Sequence, residues 1–445
     1  MKRALLFGLI VCLCLAVCGG AALGEAAKEP ASMTAEELYK AANDAYDAKD
    51  YAKAMEYYQL AAEQEYAAAF RGIGKLYADG KGVEQSFDKA REYWEKAVEL
   101  GDATALTNIG SMYGAGKGVE QDYAKALEYF QKAADQGDAH GLVRLGSMYY
   151  NGLGVEQSYE KALEYWQKAE EMGDSDALVY IAYLYGHGQG VEQSFDMAME
   201  YYLRAAEMDN AEAMGALGNM YLFGDGVEQD YEKALEYYLP AAEKEDITAL
   251  TNLGYLYATG NGVEQDYDKA IEYYLLAADQ DSEYAIISLG GLYEKGLGVE
   301  QDYEKAAEYY SKAVELGSAQ GCFYLGYLYA EGMGVEQDYK KAAELFNKAV
   351  EMGNPYGYVG LGNLYAEGNG VEKDTEKAIE LFNKAAELGN SYGYVGLGKM
   401  YAEGLGVEQD YEKAAEYYRK AVDMDGNQDA AEALNKLVEE GHVKG

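Results

Sequence analysis

The sequence predicts an all-α array of helical hairpins stacked into a solenoid. Three observations predict it. A Gly-x-Gly-Val motif recurs, with its valine at Val83, Val119, Val155, Val191, Val227, Val263, Val299, Val335, Val371 and Val407, every interval being 36 residues. A fixed period of that size marks a repeat array, and it overrides the separate globular domains that 445 residues would otherwise imply. Each copy carries two apolar stripes of helical spacing, and the whole chain holds only three prolines. A single hairpin cannot bury its apolar face alone, so each must lean on the next.

At the N-terminus, Lys2 and Arg3 precede an uncharged run from Ala4 to Gly24. Residues 1–24 read as a secretory signal. Two other readings fit the same run: a retained membrane anchor, or a lipoprotein signal acylated at Cys18. All three place the bulk of the chain outside the cytoplasm, secreted or held at the cell surface or in the periplasm. Residues 25–33 form a polar linker with Pro30, and residues 34–65 a capping helix pair. Thr34 and Glu37 make a capping-box pattern at its start. A second helix follows from about Tyr51 to Glu63.

Ten copies then occupy residues 66–425, each with a helix A, a glycine loop and a helix B. In helix A of the second copy, Ala105, Ile109, Met112 and Tyr113 share one face. The position of Gly110 is glycine in every copy except at Ala182. Glycine inside a helix costs about 0.8–1 kcal/mol relative to alanine, so its recurrence implies a close helix crossing. Tyr113 is tyrosine in all ten copies and reads as a packing residue with a hydrogen-bonded hydroxyl. Of the loop glycines, Gly116 ends helix A in the left-handed conformation and Gly118 permits the reversal. Val119 plugs the seam between neighbouring hairpins. The loop is not a phosphate cradle, because no strand precedes it and no Gly-Lys-Ser/Thr follows.

Helix B opens on Asp122 or its equivalents, always Asp or Ser, which are good N-caps. Its stripe is Tyr123, Ala126, Leu127, Phe130, Ala133 and Ala134, with an aromatic at the Phe130 position throughout. Glu128 and Lys132 form an i,i+4 pair on the outer face. Pro240 should kink or end its helix B. Asp209, Glu245, Asp281 and Asp425 replace the glycine that closes other copies, which predicts a different curvature near the middle. Residues 426–445 supply a closing helix, Gln428 to Glu440, and a tail.

The net charge of −41 argues against nucleic acid or an anionic membrane as partner, since no basic footprint exists. Contact with a membrane is expected only through the N-terminal segment. Cys322 is the one cysteine outside residues 1–24, so no internal disulfide is expected and it packs as a small apolar residue. His140, His187 and His442 share no motif, and no metalloprotease, nucleophile-elbow or paired-cysteine pattern occurs. No catalytic residue, metal ligand or cofactor site is therefore assigned.

Core positions barely change between copies, so the variable helix-A positions of Thr107, Asn108 and Ser111 are candidates for a partner-binding face. Across the copies these include Arg71, Lys75, Asn108, Arg144, Tyr180, Tyr183, Asn219, Asn252, Tyr255, Tyr324 and Tyr327. Tyrosine, asparagine and arginine suit an interface with a protein or peptide. The competing readings are drift on a solvated face, and a carbohydrate or cell-wall surface on which the tyrosines stack.

Gly110, Tyr113, Gly116, Gly118, Val119, Asp122, Lys125, Ala126, Tyr129, Lys132, Ala133, Ala134 and Gly137 together match one pattern. It resembles the Sel1-like repeat, a relative of the tetratricopeptide repeat. The resemblance implies a right-handed α–α superhelical solenoid that binds a partner on its concave helix-A surface, in proteins that act as adaptors and in bacteria are often exported. A cysteine-rich branch of that family is linked to β-lactam binding or hydrolysis, but this chain lacks those cysteines.

Overall fold

The structure is a computed structural model, and it describes residues 30–444. The expected export segment, with Cys12, Cys14 and Cys18, lies outside the described residues, as does most of the linker. A single 3-10 turn, Pro30–Ser32, leads into the first hairpin, Ala35–Asp47 and Tyr51–Ala62. Ten hairpins follow, from Ala67–Asp79 with Phe87–Glu99 to Ser391–Glu403 with Tyr411–Asp425, and Gln428–Glu439 closes the array. No strand occurs among the described residues, and none of their helices is long and apolar enough to cross a membrane. The expected all-α solenoid is present.

The chain forms two compact units, one up to Leu184 with Gln189–Val191, the other Tyr185–Gly188 with Glu192 onward. Within each, helix A packs on its own helix B and on the helix B before it, and neighbouring helices A also touch. The helix-A glycine explains the closeness. A Cβ built on Gly110 would stand 2.7 Å from the Phe130 ring, and one on Gly146 would stand 2.3 Å from Trp166. Phe130, Trp166, Tyr238 and Phe382 are all buried at this crossing. The Ala105 position faces the previous helix B in the same way: a Cβ on Gly321 would lie 2.7 Å from that of Ala313.

The second loop glycine does more than reverse the chain. Gly118 has φ of +72°, and a Cβ there would stand 2.2 Å from the Cβ of Phe87, the first residue of the preceding helix B. The loop is thus seated on its neighbour. Val119 packs against the buried cluster that Ala90, Trp94 and Ala97 of one copy form with Ala105, Ile109 and Met112 of the next, filling the seam as expected. Gln121 seals the end of helix A, its Nε2 donating to the Gly114 carbonyl at 2.8 Å. All ten helices B are capped by the expected Asp or Ser.

The invariant tyrosine packs mainly through its ring. Tyr113 stacks on Tyr129 at 5.7 Å and 9°, and Lys125 Nζ lies 5.0 Å from the Tyr113 centroid. In the eighth and ninth copies Leu345 and Leu381 stand where the stacking tyrosine would be. There the expected hydroxyl bond forms, Lys341 Nζ donating to Tyr329 at 2.6 Å and Lys377 Nζ to Tyr365 at 2.7 Å. Lys132 lies over the Tyr129 ring, while the outer-face ion pair is made by Glu164 with Lys168, Glu380 with Lys384 and Glu416 with Lys420.

The departures can be followed in the backbone. Pro240 does not end its helix, which runs on to Glu243. The backbone bond it removes is that to Glu236, a residue on the exposed side where water can serve the freed carbonyl. Asp209, Glu245 and Asp281 take φ of 66°, 62° and 62°, the left-handed conformation that the closing glycines adopt elsewhere. Asp425 instead prolongs its helix B, and Gly426 takes the left-handed role. The turns at Asp209, Glu245 and Asp281 therefore keep the backbone conformation of the glycine turns.

A second set of caps lies at the start of helix A, just after that turn. Asp102, Asp138, Asp174, Asn210, Asp246, Ser282, Ser318, Asn354 and Asn390 each accept a backbone N–H there. Several also bond to the copy before. Thr104 and Thr107 donate to Asp138 at 3.0 and 2.6 Å, Arg71 Nε donates to Asp102 at 2.9 Å, and Thr251 shares a hydrogen with Ser282. Arg71 and buried Thr107 are thus committed to the stacking seam.

His140 makes the equivalent contact in the third copy, its Nδ1 lying 3.1 Å from Asp174 Oδ2. The bond to Asp174 raises the imidazole above its ordinary 6.5. Burial pushes the Asp174 carboxyl up, but bonds from His140 and the Ala177 N–H hold it below its ordinary 3.8. The ion pair's stabilisation is complete below 6.5, is lost as pH rises through the raised His140 value, and is lost on the acid side as pH falls through the lowered Asp174 value.

Two tests follow from this packing. Gly110→Ala should lower stability to urea by about 1–3 kcal/mol through overpacking. Gly114→Ala, whose Cβ would meet only that of Ala126 at 3.6 Å, should raise it by about 0.5–1 kcal/mol. Equal effects would deny the glycine–aromatic contact its role. For the seam, the melting-temperature gap between wild type and His140→Ala should be widest near about pH 5–6 and shrink toward about pH 9. A gap independent of pH would mean that packing alone holds this junction.

Candidate functional site

The surface has hollows of two kinds. Where loop meets helix B, the second and ninth copies show related hollows, lined by Tyr113, Val119 and Lys125 and by Tyr365, Val371 and Lys377. These belong to the repeat itself. Two others depart from the period. One, of about 500 Å³, is lined by Thr104, Asp138, His140, Met172, Asp174 and Asp176. Ligand atoms of His140, Asp174 and Asp176 lie within 4.8 Å of one another and could approach a divalent cation. Both Asp174 oxygens, however, are already engaged, one by the Ala177 N–H and one by His140. This cluster is a variant of the stacking seam.

The other hollow is a groove of about 390 Å³ in the second unit. It crosses three consecutive helices A. Leu222 and Phe223 come from the last turn of Ala211–Phe223, Asn252 and Tyr255 from Ile247–Thr259, and Tyr284 from the first turn of Glu283–Lys295. Gln229 and Tyr231, at the start of Tyr231–Glu243, complete it. Phe223 is 64% exposed and Tyr284 52%, although both are large and apolar. In the other copies the Phe223 position holds Asp79, Ala115, Asn151, His187, Thr259, Lys295, Glu331, Glu367 and Glu403, none of them aromatic. Exposed apolar surface of this kind is unfavourable in water, which makes the groove the candidate binding site.

The floor is held rigidly. Tyr238 Oη donates to Asn219 Oδ1 at 2.6 Å, and Asn252 Nδ2 donates to Asn219 Oδ1 at 2.8 Å and to Tyr238 Oη at 3.1 Å. Burial, then the nearby Tyr255 hydroxyl, raises Tyr284 above the ordinary phenol value. Every lining residue is an apolar side chain, an amide or a phenol. Such a groove can bury an apolar group and accept or donate hydrogen bonds.

The sequence-nominated residues divide by position. Asn252 and Tyr255 line the groove, and Asn219 supports it from beneath. The Asn108 position proves to be a lid over the buried aromatic of the preceding helix B. Tyr180 stacks on Trp166 at 5.1 Å, Tyr324 stacks on Tyr310 at 5.0 Å, and Asn252 bonds to Tyr238. Where the aromatic is Phe346 or Phe382, the lid is Gly360 or Gly396, each with no room for a Cβ. Much of the variation at this position is therefore matching between neighbours. Asn108 is half-buried and Arg144 exposed. Tyr183 and Tyr327 are exposed, Tyr183 lying edge-on to Tyr150. Lys75 lies over the Tyr46 ring. Phe223 and Tyr284 escaped the sequence reading because they sit at the two ends of helix A. Comparing those end positions across the copies would have found Phe223, the only aromatic in its column.

Comparison with known proteins agrees with this fold. The Sel1 repeat family model matches residues 46–66 and then, copy by copy, 65–102 through 391–426. The chain is similar to the crystal structure of c5321, described as a protective antigen present in uropathogenic Escherichia coli strains displaying an SLR fold. Identity is 33%, over 92% of this chain and 89% of that one, with a TM-score of 0.61. It is also similar to a Sel1 repeat protein from Oxalobacter formigenes, at 33% identity over 55% of this chain and 99% of that one, with a TM-score of 0.51. A search of curated proteins returns no match. With one partial and ten full copies of the motif in register from residue 46 to 426, this chain belongs to the Sel1 repeat family.

Proposed function

We propose that this protein is an exported, non-enzymatic interaction scaffold that holds a protein or peptide partner on the exposed face of its helices A. The groove between Phe223, Tyr255 and Tyr284 is the anchoring point. Sel1 repeat proteins generally serve as interaction scaffolds, and the uncharged N-terminal run supports export. The groove carries the reading. It is a concave, largely apolar place in a chain of net charge −41, and its aromatic rim meets the usual make-up of a binding hot spot. Its lining chemistry supports binding and offers no acid–base pair to turn over a substrate.

The test is affinity capture from a surface extract with the full-length protein and with a Phe223→Ser, Tyr284→Ser double variant. Both residues are exposed, so the variant should keep its helical circular dichroism. Recovery of one or more partners by the wild type, reduced at least about tenfold with the variant, supports the groove. Capture that persists undiminished would remove it from consideration. Retention on cell-wall material in place of protein would favour the carbohydrate reading.

A further inference from the structure

We infer that the groove accepts one aromatic or large aliphatic side chain from a cationic stretch of a partner protein, with a hydrogen-bond donor of that stretch meeting Asn252. The inference rests on the scaffold reading above and specifies its ligand. Three observations carry it.

The first is the groove's size and lining. About 390 Å³ walled by Leu222, Phe223, Tyr231, Tyr255 and Tyr284 is room for a single bulky side chain. Aromatic walls favour an apolar or aromatic guest over a hydrated one. The second is the polarity of the floor. The Asn252 amide donates inward twice, to Asn219 and to Tyr238. Among the described residues no donor reaches its Oδ1, which leaves an oriented acceptor. A matching ligand must bring an N–H or O–H, and an anion or bare carbonyl placed there would be repelled.

The third is charge. The helix-A and loop segments 211–230, 247–266 and 283–302 carry ten acidic residues and one basic residue, Lys295. Asp225, Glu228 and Glu283 lie within two residues of groove-lining positions in the chain and are exposed. The groove itself is neutral, so the apolar anchor enters without meeting a charge while flanking lysines or arginines meet the acidic rim. Charge complementarity of this kind speeds encounter and is weakened by salt, whereas the buried anchor is not.

The probe is a fluorescein-labelled pentapeptide, one tryptophan flanked on each side by two lysines, titrated into the full-length protein by fluorescence anisotropy. Two control peptides replace the tryptophan by alanine, or the four lysines by glutamate. We expect the lysine–tryptophan peptide to bind at least about tenfold more tightly than either control. Phe223→Ser, Tyr284→Ser should weaken it about tenfold, and Asn252→Leu should weaken it several-fold. Raising salt should weaken the lysine–tryptophan and lysine–alanine peptides alike and preserve the ratio between them. Equal binding of the tryptophan and alanine peptides, tighter binding of the glutamate peptide, or indifference to the groove substitutions would overturn the inference. If the capture experiment shows a groove-dependent partner while these peptides fail, the cationic-anchor inference falls and the scaffold reading stands. If capture ignores the groove, both fall.

Discussion

Where helix A crosses helix B, an aromatic ring lies directly on a glycine. Gly218 under Tyr238, Gly254 under Tyr274 and Gly290 under Tyr310 would each place a Cβ within 2.5 Å of a ring carbon. The other contacts of the copy are arranged around this crossing. Because the ring sits so low, helix B can approach until Tyr113 stacks on Tyr129, and the next helix A can close over the ring's far side. Phe346 shows the result, with Gly326 of its own copy below and Gly360 of the next above. The intrinsic helix-weakening effect of glycine, about 0.8–1 kcal/mol, is outweighed by the burial of a whole aromatic side chain, about 1.5–3 kcal/mol for a residue such as Phe. The exchange is repeated wherever the helix-A glycine recurs, in every copy but the fourth, where Ala182 stands, and a ring such as Phe346 is shared by two copies. Stability in such an array is therefore a sum of nearest-neighbour terms.

Most of this was legible in the sequence because periodicity makes a chain its own alignment. Gly110, Tyr113, Ala126 and Asp122 declare their roles by changing little or not at all, the exceptions being Ala182 for the glycine and serine for the cap, and the structure puts them at the crossing, the ring stack, the buried stripe and the cap. Gly118 was read for its backbone freedom alone. Its second role, seating the loop on Phe87, is a contact with a residue 31 positions back and carries no local signal. The helix-A caps were also missed. Asp, Asn and Ser alternate at that position, and one of its members, Asp246, has its carboxyl raised by burial, whereas Asp174 is held low by His140. A position that tolerates several cap residues looks variable although its function is constant.

The same confusion runs the other way at the Asn108 position. Variation there invited the idea of a partner face. Much of it is matched to the ring beneath: glycine over Phe346 and Phe382, asparagine donating to the Tyr238 phenol, tyrosine stacked on indole or phenol. Residues that change together to satisfy one buried contact are a packing solution. Variation between copies thus mixes two causes, and burial separates them. Asn219 serves structure by holding Asn252, while Phe223 and Tyr284 leave much of their apolar surface in water, although Tyr284 also meets the Tyr274 ring.

That distinction explains why a single groove can matter in a molecule built from repetition. Ten equivalent hairpins present ten nearly equivalent surfaces, and a ligand that fits one would fit all of them weakly. Selectivity requires a place where several columns depart from their consensus at once. The groove is such a place: Phe223 stands where other copies are small or polar, Tyr284 where only Tyr356 and Tyr392 among the other copies are also tyrosine, and Asn252 has its orientation set by Asn219. The regular part of each copy keeps the three helices A in register, so that residues some 60 positions apart in sequence share one hollow. The repeat supplies the rigid frame, and the departures from it supply the chemistry.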